Sequence, residues 1–379
     1  MRDGGEEVNK FEATALAAYA ACVADLPFIL WGPPGTGKTK FVETLARLLG
    51  RKLVTIVAAT RDRTDFGGWP VVVDGEVAVK PFPWAKEFVE AGKKGMLFID
   101  ELTSSPPDIR PVLLRVLNER FIGDTPFQGL PVAAANPEDQ AVTGFRLDPP
   151  IANRLVHLDW AMETHVWARG MREGWDRIYP RFPAEPAPEV LEAETARARA
   201  LVAAYLERNP GNLNRVPEGE ESGRAWPSYR TWDYAARFLG AAMAMGLGEE
   251  VIALGVTGAV GKDGYGLVQF LRENDLPAPE EVLENPGKLP KREDALFVVL
   301  SAIAAYVVRT WDPKAWKAAW RLLAEVAKRG QKDIAFSAAR TLARAFFDPP
   351  KGKKEMPVPE EVDLFAELFG ALERFGTGR

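Results

Sequence analysis

The chain has 379 residues, a length that allows two or three domains. Its net charge of −5 and pI of about 5.5 exclude a global basic field that would attract nucleic acid, although a local basic pore stays open. The single Cys22 excludes an internal disulfide, and with only His157 and His165 a zinc cluster of Cys and His cannot form. Apolar runs are too short to span a bilayer, and the acidic start at 1–7 does not resemble a signal peptide, so we expect a cytoplasmic protein.

The first strong signal along the chain is a glycine-rich stretch between a predicted strand and a predicted helix. Apolar residues at helical spacing predict a helix over 8–24, and 28–31 reads as a short buried strand. A second helix is predicted over 40–49. The residues between fit the pattern GxxxxGK(S/T) and are Gly32, Pro33, Pro34, Gly35, Thr36, Gly37, Lys38 and Thr39.

This stretch predicts a site for ATP and Mg²⁺. Glycines let the backbone fold around phosphate, and unpaired N–H groups at the helix start bind its oxygens. Lys38 reaches the β- and γ-phosphates, and the Thr39 hydroxyl ligates Mg²⁺. The alternative is a chance glycine turn before a helix, which the flanking strand and helix disfavour.

Strands and helices then alternate, which predicts a parallel sheet covered on both faces by helices. The predicted strands are 52–59, 96–99, 130–135 and 155–158, and helices are predicted over 84–91 and 109–117, the second preceded by a Ser cap and prolines at 104–107. Between them, 61–70 is predicted as a polar loop and Val71–Val79 as a hairpin around Asp74-Gly75.

Polar residues at the ends of two predicted strands are candidate catalytic groups. Asp100 and Glu101 end the strand at 96–99; we expect Asp100 to hold Mg²⁺, directly or through water, and Glu101 to polarise the attacking water. Solvated carboxylates at a strand end are the alternative for these two acids. Asn136 ends the next strand; by itself it reads as a turn residue before proline, but in this order it suits a group that positions the water.

Two arginines are candidates for contact with the γ-phosphate. Arg154 lies just before the fifth strand, and Arg230 opens a later helix. A lone arginine is usually solvated, but a guanidinium also suits a finger supplied to a neighbour's nucleotide or a phosphate sensor in the helical part. Arg146 is a rival to Arg154 as the finger.

After Trp160 the strand signals vanish and helices are predicted. Prolines mark breaks at 183–188 and 276–290. Amphipathic segments follow at 293–309, 312–328 and 331–347, with a last helix near 359–373. Trp311, Trp316 and Trp320 recur at helical spacing and are predicted to lie in a helical core.

The order of these parts resembles the AAA+ ATPases and, among them, the MoxR-like (dynein-related) group. GPPGTGKT, LFIDE with its proline-led helix, AAANP-E-Q at Ala133–Gln140 and the Asn-Arg before the fifth strand carry the resemblance over about 28–160. PSYRT at 227–231 is similar to the family's Ser-Pro-Arg sensor, with Tyr229 in place of the proline, which leaves Arg230 less secure than Arg154.

The resemblance implies an α/β P-loop NTPase domain over 1–159, an all-α lid over 160–275 and a helical C-terminal extension over 276–379. It also implies a ring, usually of six subunits, with ATP between subunits and a hairpin insert at about 70–80. Relatives act as ATP-driven chaperones on protein partners, often with a von Willebrand A-type domain. Phe66 and Trp69 then either pack under the hairpin or face substrate near the pore.

The sequence leaves other functions open. A DNA-associated NTPase of restriction or loader type is disfavoured by the acidic pI, but Arg61, Arg63, Lys80 and Lys86 are candidates to line a basic pore. A small-molecule kinase does not explain Glu101 together with the helical half. A nucleotide-switched scaffold without turnover does not explain the two acids.

Overall fold

A computed structural model of the chain describes residues 9–137, 146–273, 277–347, 349 and 356–365. The chain forms two compact units. The first comprises residues 1–186 and 211–265, and the second comprises 187–210 and 266–379.

The first unit is built on a five-stranded parallel sheet. The strands are β1 (Phe28–Trp31), β2 (Lys52–Val57), β3 (Trp69–Val73), β4 (Glu76–Lys80), β5 (Gly95–Asp100), β6 (Phe121–Ile122), β7 (Thr125–Pro126), β8 (Leu130–Ala135) and β9 (Val156–Asp159). The order in the main sheet is β2-β5-β8-β1-β9, while β3 pairs with β4 and β6 with β7 in small antiparallel ribbons. Because all five main strands are parallel, their carboxyl ends share one edge.

Helices pack around this sheet and form the second unit. In chain order they are α1 (Lys10–Val23), α2 (Lys38–Leu48), α3 (Arg63–Gly67), α4 (Pro83–Glu90), α5 (Arg110–Glu119), α6 (Pro149–Ala152), α7 (Thr164–Glu173), α8 (Pro188–Arg208), α9 (Tyr229–Ala244), α10 (Glu249–Val260), α11 (Gly264–Glu273), α12 (Pro279–Glu284), α13 (Glu293–Thr310), α14 (Pro313–Val326) and α15 (Lys332–Phe347).

Both faces of the sheet are buried, as continuous apolar strands predict. On one face Ile29, Leu97 and Ala133 join a core with Phe88 of α4 and Leu113 of α5. Alternate residues of the same strands, among them Leu30, Phe98 and Val132, point to the other face and are also fully buried. The predicted class, a parallel α/β sheet with flanking helices followed by a helical C-terminal part, is confirmed.

The structure corrects three local predictions in this unit. The loop predicted over 61–70 contains helix α3, which Asp62 begins by accepting from the backbone N–H groups of Thr64 and Asp65 in a capping box. Strand β2 ends at Val57, because 58–60 forms a 3₁₀ turn. Helix α5 begins at Arg110 rather than at the predicted serine cap.

The predicted hairpin forms, with a tight turn at Asp74 (φ +53°) and Gly75 (φ +86°). Phe66 is fully buried and packs edge-on against Trp84, whereas Trp69 is 57% exposed. Phe66 is therefore a core residue, and only Trp69 is available to a partner.

The second unit is a helical bundle with its own core. Trp316 and Trp320 are fully buried, and Trp311 is nearly so, which confirms the predicted tryptophan core. Helix α8, which the sequence placed in the 160–275 lid, packs instead against α13 of this unit. The break predicted over 276–290 contains the short helix α12. Of the last predicted helix the described part ends at 365, in a 3₁₀ turn.

Candidate active site

The glycine-rich loop joins the end of β1 to the start of α2. Gly35 and Gly37 have φ values of +76° and +82°, which a residue with a side chain rarely adopts. At Gly32 a Cβ would lie 2.3 Å from the carbonyl oxygen of Trp160, so this position also requires glycine. A loop of this shape at the N-terminus of an 11-residue helix offers N–H groups and the positive end of the helix dipole to an anion.

Trp160, at the end of β9, holds this loop in place and was not predicted as part of the site. Its backbone N–H donates to the Trp31 carbonyl at 2.6 Å, and its indole Nε1–H donates to the Thr36 carbonyl at 2.9 Å. The ring is buried and stacks on Phe41 of α2, with 4.3 Å between centroids. The available signal was its position directly after the fifth predicted strand, at the edge shared with the phosphate loop.

Lys38, the first residue of α2, folds back over the loop. Its Nζ donates to the carbonyl oxygens of Gly32 at 2.6 Å and Pro33 at 2.9 Å. Burial lowers the pKa of the ammonium, and the negative charges of Asp100 and Glu101 oppose that shift. The loop therefore presents a buried positive charge next to two carboxylates.

Asn136 follows β8 and points at the same lysine. Its Oδ1 accepts from Lys38 Nζ at 3.0 Å, so the side chain lies beside the phosphate loop. The neighbouring residues Glu138 and Gln140 of the sequence motif lie outside the described residues. A polar amide here can orient a water molecule next to the phosphates.

Thr39 and Asp100, the predicted magnesium ligands, lie next to each other. The Thr39 hydroxyl donates to Asp100 Oδ2 at 2.9 Å, which places two oxygen ligands where one ion can contact both. Hard oxygen donors in this number suit Mg²⁺, which takes its other ligands from phosphates and water. Within the described residues no cluster of three or more acidic, His or Cys side chains would hold a metal by itself. The pair therefore fits a metal that arrives with a nucleotide.

Glu101 has a strained backbone at the end of β5. Its φ of +55° lies in the left-handed region, and its N–H donates to Asp100 Oδ1 at 2.9 Å. Such a conformation costs a non-glycine residue about 1–3 kcal/mol. The strain turns the chain sharply after Asp100 and leaves the Glu101 side chain exposed at the sheet edge.

Arg154 lies at the opposite end of the sheet from the phosphate loop. It precedes β9, which runs parallel to β1. The phosphate loop follows the carboxyl end of β1, whereas Arg154 lies at the amino end of β9. Each of these four-residue strands is about 10 Å long. The Arg154 guanidinium donates from Nη1 to the carbonyl of Pro150. Burial lowers its pKa and the charge of Arg230 lowers it further, while Tyr234 and Glu119 oppose the shift.

Arg230 is held near Arg154 by the start of α9. Ser228 caps this helix, and its hydroxyl donates to Asn153 Oδ1 at 2.9 Å, which binds the PSYRT segment to the residue before Arg154. Burial raises the pKa of Tyr234, one turn later on α9, while the charges of Arg230, Arg237, Arg120 and Arg154 oppose that shift. Four arginine charges therefore act on Tyr234, and one of these arginines, Arg120, pairs with Asp25 at 3.0 Å.

Arg146, the rival finger, packs elsewhere. Its Nη1 donates to the Gly219 carbonyl at 2.8 Å, and its Cγ lies against Gly223. The predicted residues thus form two groups: Lys38, Thr39, Asp100, Glu101 and Asn136 at the carboxyl edge of the sheet, and Arg154 with Arg230 before β9 and on α9.

Comparison with known proteins shows the family of this chain. Residues 27–155 match the AAA domain of the dynein-related subfamily. Protein NorQ of Paracoccus denitrificans is 31% identical over 242 residues, which cover 56% of this chain and 83% of NorQ. The chain belongs to the MoxR-like, dynein-related family of AAA+ ATPases.

Two shorter matches lie in proteins named CbbQ. The one from Allochromatium vinosum is 51% identical over 63 residues, 17% of this chain and 74% of that one. The one from Hydrogenophilus thermoluteolus is 45% identical over 60 residues, 16% of this chain and 20% of that one. This MoxR-like protein is therefore an ATPase, and nucleotide binding is a property of its AAA+ domain.

Within the described part of this ATPase, no helix combines the length and apolarity that a membrane crossing needs.

Proposed function

We propose that this AAA+ ATPase assembles into a ring of six subunits and hydrolyses ATP at sites shared between subunits. The energy of hydrolysis is used to remodel a protein partner. The observation that carries the proposal is the separation of its basic pair from its phosphate loop. A γ-phosphate bound over Lys38 lies at the carboxyl edge, whereas Arg154 and Arg230 lie before β9 and on α9.

In the proposed reaction the subunit that binds ATP supplies everything except the arginines. The loop N–H groups and Lys38 compensate the charge of the β- and γ-phosphates. Thr39 and Asp100 would hold Mg²⁺, which would neutralise charge on the phosphate oxygens. Glu101 accepts a proton from the attacking water, and Asn136 orients that water.

The neighbouring subunit supplies Arg154 and, beside it, Arg230. A guanidinium that contacts the γ-phosphate only in the transition state accelerates phosphoryl transfer by about a thousandfold or more, equivalent to about 4 kcal/mol. The proximity of Arg230 to Arg154 favours a role for both at the same phosphate, rather than a sensor directed at the subunit's own nucleotide.

Subunit mixing tests the shared site. Arg154→Ala should bind ATP normally and lose turnover, and Lys38→Ala should not bind ATP. Neither variant turns over alone, but a mixed ring contains junctions with an intact Lys38 and an intact Arg154. Recovered hydrolysis supports the proposal; no recovery in rings that demonstrably contain both variants would refute it. Native mass spectrometry of the same rings measures the number of subunits, which we expect to be six.

The protein partner is tested with a variant trapped before hydrolysis. Glu101→Gln keeps the shape of the side chain but removes the base, so it should bind ATP and hydrolyse it at a small fraction of the wild-type rate. Added ATP should then retain a partner, expected to be a von Willebrand A-type domain protein, that Lys38→Ala does not retain. Equal retention by both variants would contradict ATP-dependent remodelling.

The DNA-associated alternative gains no support from the basic residues after β2. Arg61 pairs with Asp65 at 3.5 Å, and Lys86 lies 3.8 Å from Glu90, so two of the residues predicted to line a pore have an acidic neighbour.

A further inference from the structure

A buried histidine links the strand that leads into the phosphate loop to the turn that carries Arg154. His157 is on β9 and 8% exposed. Its Nδ1 accepts from the indole Nε1–H of Trp31 at 3.0 Å, and its Nε2 lies 2.9 Å from the carbonyl oxygen of Ala152, the last residue of α6. Trp31 immediately precedes Gly32, and Arg154 follows Ala152 by two residues.

The two bonds fix the protonation of the ring. Because Nδ1 is an acceptor, the proton lies on Nε2 and is donated to Ala152. Burial lowers the pKa of His157 to about 4, so the ring is neutral near pH 7 and keeps both bonds. The ring lies edge to edge with Trp31 and nearly in the same plane, with 6.0 Å between centroids and 13° between planes.

The Trp31 end of this link is anchored in the sheet. The α6 end, which leads to Arg154, is the part that needs positioning. Trp31 belongs to a strand paired on both sides, with β8 and β9, and its carbonyl accepts from Trp160. Helix α6 is a single turn of four residues, so it has little rigidity of its own. The ring therefore fixes α6 to the sheet.

We propose that His157 is a positioning residue that holds the Arg154 turn at the correct place against β1, so that the arginine reaches the neighbouring subunit's ATP. The inference rests on the proposed shared site. It assigns His157 no contact with the nucleotide; it acts through Ala152 and the turn that follows.

The variant that tests this is His157→Phe, which keeps an aromatic ring against Trp31 and removes both hydrogen bonds. A displacement of a catalytic group by about 1 Å costs up to about a hundredfold in rate, so kcat should fall tenfold to a hundredfold, with KM for ATP within about twofold of wild type. His157→Gln places an amide N–H near the position of Nε2–H and should restore most of the lost kcat, because it can again donate to Ala152.

Mixing locates the defect on one side of the subunit junction. In rings with Lys38→Ala subunits, His157→Phe receives an intact arginine and should regain hydrolysis. In rings with Arg154→Ala subunits, His157→Phe must donate the arginine, and hydrolysis should stay low. A variant that merely destabilises the fold would lower the rate of ATP hydrolysis equally in both mixtures.

The reverse pattern, with recovery beside Arg154→Ala and none beside Lys38→Ala, would place the defect in the phosphate loop and overturn the proposal. Equal loss in both mixtures, or a Gln variant no better than Phe, would also overturn it. If His157→Phe does not fold by circular dichroism, Trp31→Phe, which removes the indole donor and keeps an aromatic ring beneath Arg224, carries the same mixing test. The Lys38→Ala and Arg154→Ala mixture is run first, because its failure refutes the shared site independently of His157.

Discussion

Acidification should destabilise the first unit through His157 before the ring reaches its own pKa. Burial is the main cause of its pKa of about 4, against an ordinary value of 6.5; Arg224 lowers it further, while the bond to Ala152 and the charge of Asp159 oppose the shift. As pH falls below 6.5 the unfolded chain takes up the proton first. Stability from the neutral ring is therefore complete above pH 6.5 and is lost as pH falls toward 4.

The size of this loss follows from the shift. A lowering from 6.5 to about 4, at about 1.4 kcal/mol per pH unit, corresponds to about 3 kcal/mol in the free energy of unfolding. Between pH 6 and 4.5 the slope should be about 1 kcal/mol per unit. Because carboxylates elsewhere also titrate in this range, the quantity to compare is the difference between wild type and His157→Phe, which has no titrating ring at this position.

Urea denaturation of the full chain at half-unit steps from pH 7.5 to 4.5 measures this difference. The difference in free energy of unfolding between wild type and His157→Phe should narrow as pH falls, since only wild type loses the contribution of the neutral ring. His165→Gln is the matched control, because His165 is exposed on α7, and its curve should follow wild type. Parallel curves of unfolding free energy against pH for wild type and His157→Phe would refute the statement that His157 is buried in its neutral form.

Three further predictions concern the loop and the arginine turn. Lys38→Ala should abolish measurable ATP binding by calorimetry, because the ammonium over the loop is lost; wild-type affinity would contradict the site. Gly32→Ala should weaken ATP binding at least tenfold, since its Cβ would lie 2.3 Å from a backbone oxygen that can move only with β9. Gly211→Ala, at a glycine with open space around its Cβ position, serves as a control that should leave ATP affinity unchanged. Ser228→Ala should cost about 1 kcal/mol of stability through the lost helix cap and lower kcat without changing ATP affinity, because Asn153 loses its donor; an unchanged kcat would show that α9 does not position Arg154.

The sequence by itself determined the parts of the protein that depend on local pattern. The phosphate loop is recognisable because glycine, lysine and threonine at fixed spacing are required by backbone conformation and phosphate charge. Strands such as β1 and β8 were predicted with their bounds, because a short apolar run between turn signals is typical of a buried parallel strand. Asp100 and Asn136 could be placed together because the carboxyl ends of parallel strands share one edge.

The tertiary structure decided what depends on residues distant in the chain. Trp160 and His157 act through bonds to residues more than a hundred positions earlier, and no local pattern distinguishes them from ordinary core residues. The segment that carries Arg230 is held beside the segment that carries Arg154 by the hydrogen bond from Ser228 to Asn153, which is 75 positions earlier in the chain. The grouping of α8 with α13 depends on which apolar faces pack together, a choice that helical periodicity leaves open because many faces are equally apolar.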